Sequence, residues 1–238
     1  MGLKMKMLKM KVMKMSEIWK INADNGRIGI SAKSGWGKTY LSLALLKKGL
    51  QAGYKLYVLS YTPQTEAKYW NELKKYGDFN MFEANFKDLN DIIAFFYEVF
   101  KDKQGKKIIY INDLDLYLET ADNTTIGLLK RVFSSIRKVN TIFIYETKSI
   151  KGNKYLSLLD NTDILFLGKF GRMQETLFKH LGMEELADLY NKLEDHEFLM
   201  IDTSNKIVNF VKVVGDDIVE VPKDIDVENK ESGEDEPY

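Results

Sequence analysis

Ile28-Gly29-Ile30-Ser31-Ala32-Lys33-Ser34-Gly35-Trp36-Gly37-Lys38-Thr39-Tyr40-Leu41 is the stretch whose reading decides the fold of this chain. A short apolar run is followed by a small-residue loop and then by a helix-forming run, and the loop fits G-x-x-x-x-G-K-[ST] with Ala32 in place of the first glycine. In this Walker A pattern the backbone N–H groups wrap the phosphates, Gly37 lets the chain come close, and the positive end of the following helix adds to the field. Lys38 brings charge to the β- and γ-phosphates, and Thr39 offers a hydroxyl to magnesium. The pattern arises by chance in roughly two per cent of chains this long, and the strand before it and helix after it lower that figure further. ATP and Mg2+ are therefore the expected ligands, with Ala32, Lys33, Ser34, Gly35, Trp36, Gly37, Lys38, Thr39 and Tyr40 as candidate nucleotide contacts. Lys33 is a candidate phosphate contact and Trp36 a candidate to stack on a base or a neighbouring subunit, although a solvated loop residue is the plainer reading of both.

Working outward, strands and helices alternate. Arg27 to Ser31 reads as a buried strand, and Lys38 to Ala52 as a helix carrying Leu41, Leu43, Leu45 and Leu46 that stops at Gly53. Further strands are expected over Tyr54 to Tyr61, Ile108 to Ile111, Thr141 to Tyr145 and Ile164 to Leu167. Helices are expected over Glu66 to Tyr76, Asp88 to Phe100, Thr125 to Lys138 and, singly or as a pair, Gln174 to Leu193. Glu197 to Asp202 and Lys206 to Val213 form a hairpin through Thr203-Ser204-Asn205. The alternation predicts an α/β fold with a mainly parallel sheet, flanking helices and a C-terminal antiparallel hairpin.

A site of this kind needs acids at the end of a second strand, one to hold the magnesium-bound water and one to activate the attacking water. Ile108-Ile109-Tyr110-Ile111-Asn112-Asp113-Leu114-Asp115 is that strand. Asn112 falls in the first slot and Asp113 in the second, so Thr39, Asn112 and Asp113 are the candidate metal positions. Asp113 is the candidate catalytic carboxylate, and Asp115, two residues further on, is expected to face solvent or cap the next turn. An aspartate restored at position 112 is expected to be neutral or beneficial. Ile142-Phe143-Ile144-Tyr145-Glu146-Thr147-Lys148 ends in polar groups facing the same crevice, where Thr147 or Glu146 is the candidate γ-phosphate sensor. Arg131 and Arg137 lie on the helix before this strand, either one a candidate arginine finger for a neighbouring site.

With 238 residues, 45% of them hydrophobic, the chain can build one sizeable core. No cysteine and only two histidines exclude disulfides and the usual structural zinc sets. No apolar run reaches the length of a membrane span, so the body is expected to be soluble and intracellular. The formal net charge is zero, but the lysines at 4, 6, 9, 11 and 14 make the start basic and the last residues are acidic. Residues 1–14 read as a basic Met/Lys arm or as a start site placed too early, 15–215 as the ATPase domain, and 216–238 as a solvated acidic tail.

The order of these motifs resembles the HerA–FtsK superfamily, above all the genome-packaging ATPases of membrane-containing icosahedral viruses, including archaeal ones. The resemblance spans about Gly26 to Val213. It implies a RecA-like sheet with an extra strand between the P-loop strand and the acid strand. Lys38 and Thr39 then match the P-loop, Asn112-Asp113 the Asp-Glu pair, Thr147 the usual strand-end glutamine and Arg137 an arginine that precedes that strand; Asn112 and Thr147 depart from the pattern. It also implies a homo-oligomeric ring, hexamer or pentamer, that translocates double-stranded DNA without reading sequence and docks on viral capsid or membrane vertex proteins. That places it in the cytoplasm of an infected cell or with the virion. Tyr117 to Thr125 and Lys148 to Tyr155 are the candidate pore segments. Competing readings are a filamentous-virus assembly ATPase, a small-molecule kinase, which the four arginines of the chain do not favour, and a nucleotide-dependent interaction module without hydrolysis.

Overall fold

A computed structural model describes residues 26–60, 66–83, 89–103, 105–136, 140–149, 153–170 and 174–223. Residues 1–14 and the acidic stretch beyond Lys223 lie outside the described residues. Nine strands form one sheet in the order β3-β2-β4-β5-β1-β6-β7-β8-β9. They are β1 (Arg27–Ser31), β2 (Lys55–Ser60), β3 (Phe79–Glu83), β4 (Lys107–Ile111), β5 (Thr141–Thr147), β6 (Ile164–Leu167), β7 (Glu197–Asp202), β8 (Ile207–Val214) and β9 (Asp217–Glu220). All pairings from β3 to β6 are parallel, and those from β6 to β9 are antiparallel. The helices are α1 (Lys38–Gln51), α2 (Ala67–Leu73), α3 (Leu89–Lys101), α4 (Leu114–Thr120), α5 (Asn123–Ser135), α6 (Asn153–Leu159), α7 (Gln174–Leu181) and α8 (Leu186–Asn191).

The central strands show no polar alternation because both faces of a parallel sheet are covered. Ile28, Ile30, Ile108, Tyr110, Ile142 and Ile144 point to one face, where they pack with Leu41 and Leu45 of α1 and Trp70 of α2. Ile109, Ile111, Phe143, Tyr145 and Leu165 point to the other, against Phe95 of α3, Phe133 of α5 and Leu158 of α6. Phe133 lies 4.4 Å from Phe143 between ring centroids, and truncating so buried a ring costs about 3–5 kcal/mol. Strand β5 stands between β1 and β4, the inserted strand that the resemblance implies.

Four elements differ from the reading of the sequence. The edge strand β3 is only half-buried, and its sequence FNMFE shows neither clean alternation nor a continuous apolar run. Helices α4 and α6, each seven residues long, are too short for a helical period to stand out. Strand β9 takes in Asp217–Glu220, at the start of the stretch expected to be a solvated tail, because Ile218 docks against α1-side core residues and β9 pairs with β8.

At the N-terminal end of β1, Arg27 is buried and its guanidinium grips Asp163, through Nε to Oδ2 at 3.1 Å and Nη2 to Oδ1 at 2.9 Å, while Nη1 reaches Asn161 at 3.2 Å. The Arg27 backbone N–H also donates to Asp163, so one carboxylate ties β1 to the turn entering β6. Removing one partner leaves a charge buried and uncompensated. Asp163→Ala should therefore lower unfolding free energy by roughly 3–5 kcal/mol in urea denaturation; a loss under about 1 kcal/mol would mean that the arginine finds water instead.

Candidate functional site

Parallel pairing aligns Ser31 with Thr147, Ile111 with Tyr145 and Leu59 with Ile111, so the carboxyl ends of β1, β5, β4 and β2 share one edge. The P-loop grows from that edge. Ala32 N–H donates to Thr147 O at 3.2 Å and Lys33 N–H to Lys169 O at 2.9 Å. Gly35 and Gly37 take φ of 76° and 101°, where a side chain is strained, and this is the local reason for two glycines in the loop. Lys38 is buried, with Nζ donating to Ala32 O at 2.9 Å and Lys33 O at 3.2 Å. Its ammonium is thereby held over the loop. Burial pushes its pKa below the ordinary value, against the opposing pull of Glu146 and Asp113.

Trp36 is not a base-stacking group in this arrangement. The indole is 5% exposed, donates Nε1–H to Glu197 O at 2.7 Å, and sits against Gly168, while Trp36 O lies 3.2 Å from His196 Nδ1. Its side chain anchors the loop from beneath. Lys33 is exposed as a solvated loop residue should be, 5.0 Å above the Trp36 ring. Thr39 is half-buried; Tyr40 is 59% exposed, with its ring edge-on to Tyr69 of α2 at 6.2 Å. Ser34 and Gly35 are exposed on the loop crest.

Strand alternation separates the two sensor candidates. Thr147 faces away from α1: its Oγ1 is 2.7 Å from Ser31 Oγ, which is 2.5 Å from Tyr155 OH, and it is fully buried. The hydroxyl of Thr147, a γ-phosphate sensor candidate from the sequence, thus lies on the face opposite α1. Glu146, one residue earlier, faces α1 and accepts hydrogen bonds from Ser42 Oγ at 2.5 Å and Tyr110 OH at 2.6 Å. Burial raises its pKa, and Ser42, Tyr110 and Lys38 act against that rise.

Asp113 takes the left-handed conformation with φ 47° at the start of α4, which turns its carboxylate back to the edge. There it meets Lys148 Nζ at 2.7 Å. Asp115, expected to face solvent or cap the next turn, is buried and accepts the Lys148 backbone N–H at 3.2 Å; burial raises its pKa. Burial lowers the pKa of Lys148, but its bond to Asp113 and the nearby carboxylates of Asp113, Asp115 and Glu146 outweigh this and leave it raised. Asn112 is buried, and its Nδ2 donates to both carboxylate oxygens of Glu66, at 3.0 and 3.1 Å, while its Oδ1 has no donor among the described residues.

The sequence reading missed Glu66 and gave Lys148 another role. Glu66 immediately precedes α2, and no motif marks it. Lys148 stands next to the strand-end polar pair, which was the available signal, but was read as part of a pore loop. Of that segment, Lys151 and the Lys154 side chain lie outside the described residues, as does Arg137; Tyr155 is buried. Tyr117 to Thr125 is no extended loop either, since it ends α4 and begins α5 with Tyr117, Leu118 and Thr125 buried. Arg131 is exposed on α5.

A phosphate-wrapping loop between strand and helix, a lysine over it and a strand-end carboxylate opposite define a P-loop NTPase. The chain belongs to the KAP family: the KAP family P-loop domain matches residues 5–174. Among solved structures it is similar to the genome packaging NTPase B204 from Sulfolobus turreted icosahedral virus 2 in complex with ATP-gammaS, with a TM-score of 0.62 and 14% identity over 81% of this chain and 99% of that one. It is likewise similar to VirB4 of Thermoanaerobacter pseudethanolicus, with a TM-score of 0.64 and 13% identity over 83% and 92%. The pCW3 conjugation coupling protein TcpA matches with a TM-score of 0.54 and 14% identity over 78% and 60%. At such identities the likeness is one of fold. No curated protein matches the chain in sequence.

Gly168 tests how the loop is held. A Cβ there would stand 2.2 Å from Trp36 Cδ1 and 2.7 Å from Ala32 Cβ, so alanine must push the loop off the sheet. Gly168→Ala should weaken ATP binding by about tenfold or more in calorimetry, from overpacking of roughly 1–3 kcal/mol, while circular dichroism stays unchanged. Wild-type affinity would show that Trp36 can move independently of the loop.

Proposed function

We propose that this chain hydrolyses ATP with magnesium and uses the cycle to drive double-stranded DNA through a homo-oligomeric ring, a hexamer or pentamer, as a viral genome-packaging motor. The observation that carries the reading is the meeting of Lys38, Asp113 and Lys148 at the P-loop edge, on a fold that spans nearly the whole length of a genome packaging NTPase.

In this mechanism the loop amides and Lys38 bind the β- and γ-phosphates and offset charge that grows during transfer. Asp113 orients the attacking water and takes its proton. Lys148, bound to Asp113 at 2.7 Å, would add a second cation to the site beside Lys38. Among the described residues no cluster of three His, Asp or Glu could hold a metal alone, so a bound magnesium takes its other ligands from phosphate and water, as this ion commonly does. The Thr39 hydroxyl and the buried Asn112 Oδ1, which has no donor among the described residues, fit it as ligand and as acceptor for a metal-bound water. The ion would neutralise phosphate charge and hold the phosphate in line. Arg137 is proposed to reach the site of the next subunit. Docking on capsid or membrane vertex proteins, in the cytoplasm of an infected cell or on the virion, belongs to the same reading.

The test is ATPase activity with and without linear double-stranded DNA. DNA should stimulate turnover. Lys38→Ala should abolish it with little loss of folded protein, and Asp113→Asn should cost about a hundredfold or more with ATP affinity nearly unchanged. No turnover under any condition, with ATP still bound, would support an interaction module instead. Mixing Arg137→Ala with Lys38→Ala subunits should restore part of the activity; failure at every ratio in intact rings would remove the arginine from the neighbouring site.

A further inference from the structure

The acid strand presents one puzzle. Two carboxylates are needed at its end, and Asn112 stands where one of them should be. The side chain of Asn112 is not free to turn. Its backbone N–H extends the β2–β4 ladder by one residue, donating to Leu59 O at 3.3 Å, so the residue is fixed to the end of β2. Its amide nitrogen is then taken by Glu66, which follows β2, with both carboxylate oxygens within 3.1 Å. Ser60, the last residue of β2, donates from Oγ to Glu66 Oε2 at 3.3 Å and helps to hold the acceptor in place.

This contact sets the direction of the amide. A flipped Asn112 would press Oδ1 against a carboxylate, with like partial charges in contact and no proton between them. Oδ1 therefore points away from Glu66, where it is buried without a donor among the described residues. A buried acceptor left unpaired costs roughly 1–3 kcal/mol, and such a group in a native structure calls for an explanation such as a bound water or ion. Here the donor that fits is a metal-bound water beside the P-loop, since Asn112 follows β4 on the face of the sheet that carries α1.

We propose that Glu66 is the positioning residue that makes Asn112 work as an aspartate would. It orients the amide so that Oδ1 accepts from a magnesium-bound water, and it supplies the negative charge that asparagine lacks. One aspartate is thus divided between two residues, the acceptor Asn112 after β4 and the charge of Glu66 at the start of α2. This rests on the ATP site proposed above. It also reverses the expectation for position 112. An aspartate there would face Glu66 at hydrogen-bond distance, and the two carboxylates would repel unless they took up a shared proton; burial already raises the pKa of Glu66.

The experiment compares wild type, Glu66→Gln, Asn112→Asp and the double variant Glu66→Gln/Asn112→Asp. ATP affinity is measured with and without magnesium, beside thermal melting of the nucleotide-free protein. Glu66→Gln should reduce the gain in affinity that magnesium brings by about tenfold, the scale of a lost partner behind a metal ligand, and leave magnesium-free ATP binding unchanged. Asn112→Asp should melt earlier than wild type. The double variant restores a donor facing a carboxylate, with the roles exchanged and the total charge kept. It should recover both the melting temperature and the magnesium effect to within about threefold, less than half of a tenfold step in free energy.

A purely structural contact would recover melting without recovering the magnesium effect, and that result overturns the inference. So does an unchanged magnesium effect in Glu66→Gln, which is isosteric at a half-buried position and decides the matter alone should the double variant not fold. Lys38→Ala separates the two readings. If it too leaves ATP binding untouched, the ATP site has failed; if it abolishes binding while Glu66→Gln changes nothing, only the role of Glu66 has failed.

Discussion

Strand β1 is paired in parallel on both sides, with β5 and with β6, and the rest of the molecule depends on that constraint. A strand locked on both edges cannot slip in register, because a shift of one residue would turn every core side chain to the wrong face. At its start, the Arg27–Asp163 pair ties it to the turn before β6. Within it, Gly29 leaves room for Tyr145, whose hydroxyl would lie 2.6 Å from a Cβ at that position and instead bonds Thr162 at 2.7 Å. From its end the P-loop leaves between two further backbone bonds, Ala32 to Thr147 and Lys33 to Lys169. The loop is thus an extension of the sheet rather than an insertion on it.

The same edge gathers charge that the sheet alone could not tolerate. Lys38 and Lys148 face Asp113, Asp115 and Glu146, and each buried carboxylate among them has partners of its own. Glu146 takes hydroxyl bonds from Ser42 and Tyr110, and Asp115 takes the Lys148 N–H. Burial works against the charged forms of Lys38, Lys148, Asp115 and Glu146, so mutual attraction and hydrogen bonds must offset it. A field held in place before the substrate arrives needs little reorganisation during phosphoryl transfer. The wall behind the loop is equally stiff. Trp36 fills the space over Gly168 and bonds Glu197, whose carboxylate is held in turn by Lys223 at 2.6 Å. The segment entering the C-terminal antiparallel strands therefore reaches the nucleotide loop through Trp36, by its indole to Glu197 and its carbonyl to His196.

The amino-acid sequence by itself determined the loop, the class of fold and the order of its main elements. Those signals are local: Gly35, Gly37, Lys38 and Thr39 form one uninterrupted motif, and runs such as Ile108 to Ile111 can be buried on both faces only in a covered parallel sheet. It also placed Asp113 at a strand end and the hairpin about Thr203-Ser204-Asn205, where Asp202 Oδ1 accepts the N–H groups of Ser204 and Asn205 at 3.0 and 2.9 Å. What only the tertiary structure decided is which side chains meet across strands. Thr147 and Glu146 are neighbours in sequence and both end a strand, but the two-residue pleat sends them to opposite faces. Trp36 looks like an exposed loop residue until Gly168, 132 positions later (168 − 36), is seen to lie beneath it. Glu66 and Asn112, separated by 46 residues, become partners because β2 and β4 are adjacent in the sheet. Motifs report contacts between near neighbours in the chain, whereas strand order is set by packing over the whole core, and the partners it creates leave no local trace.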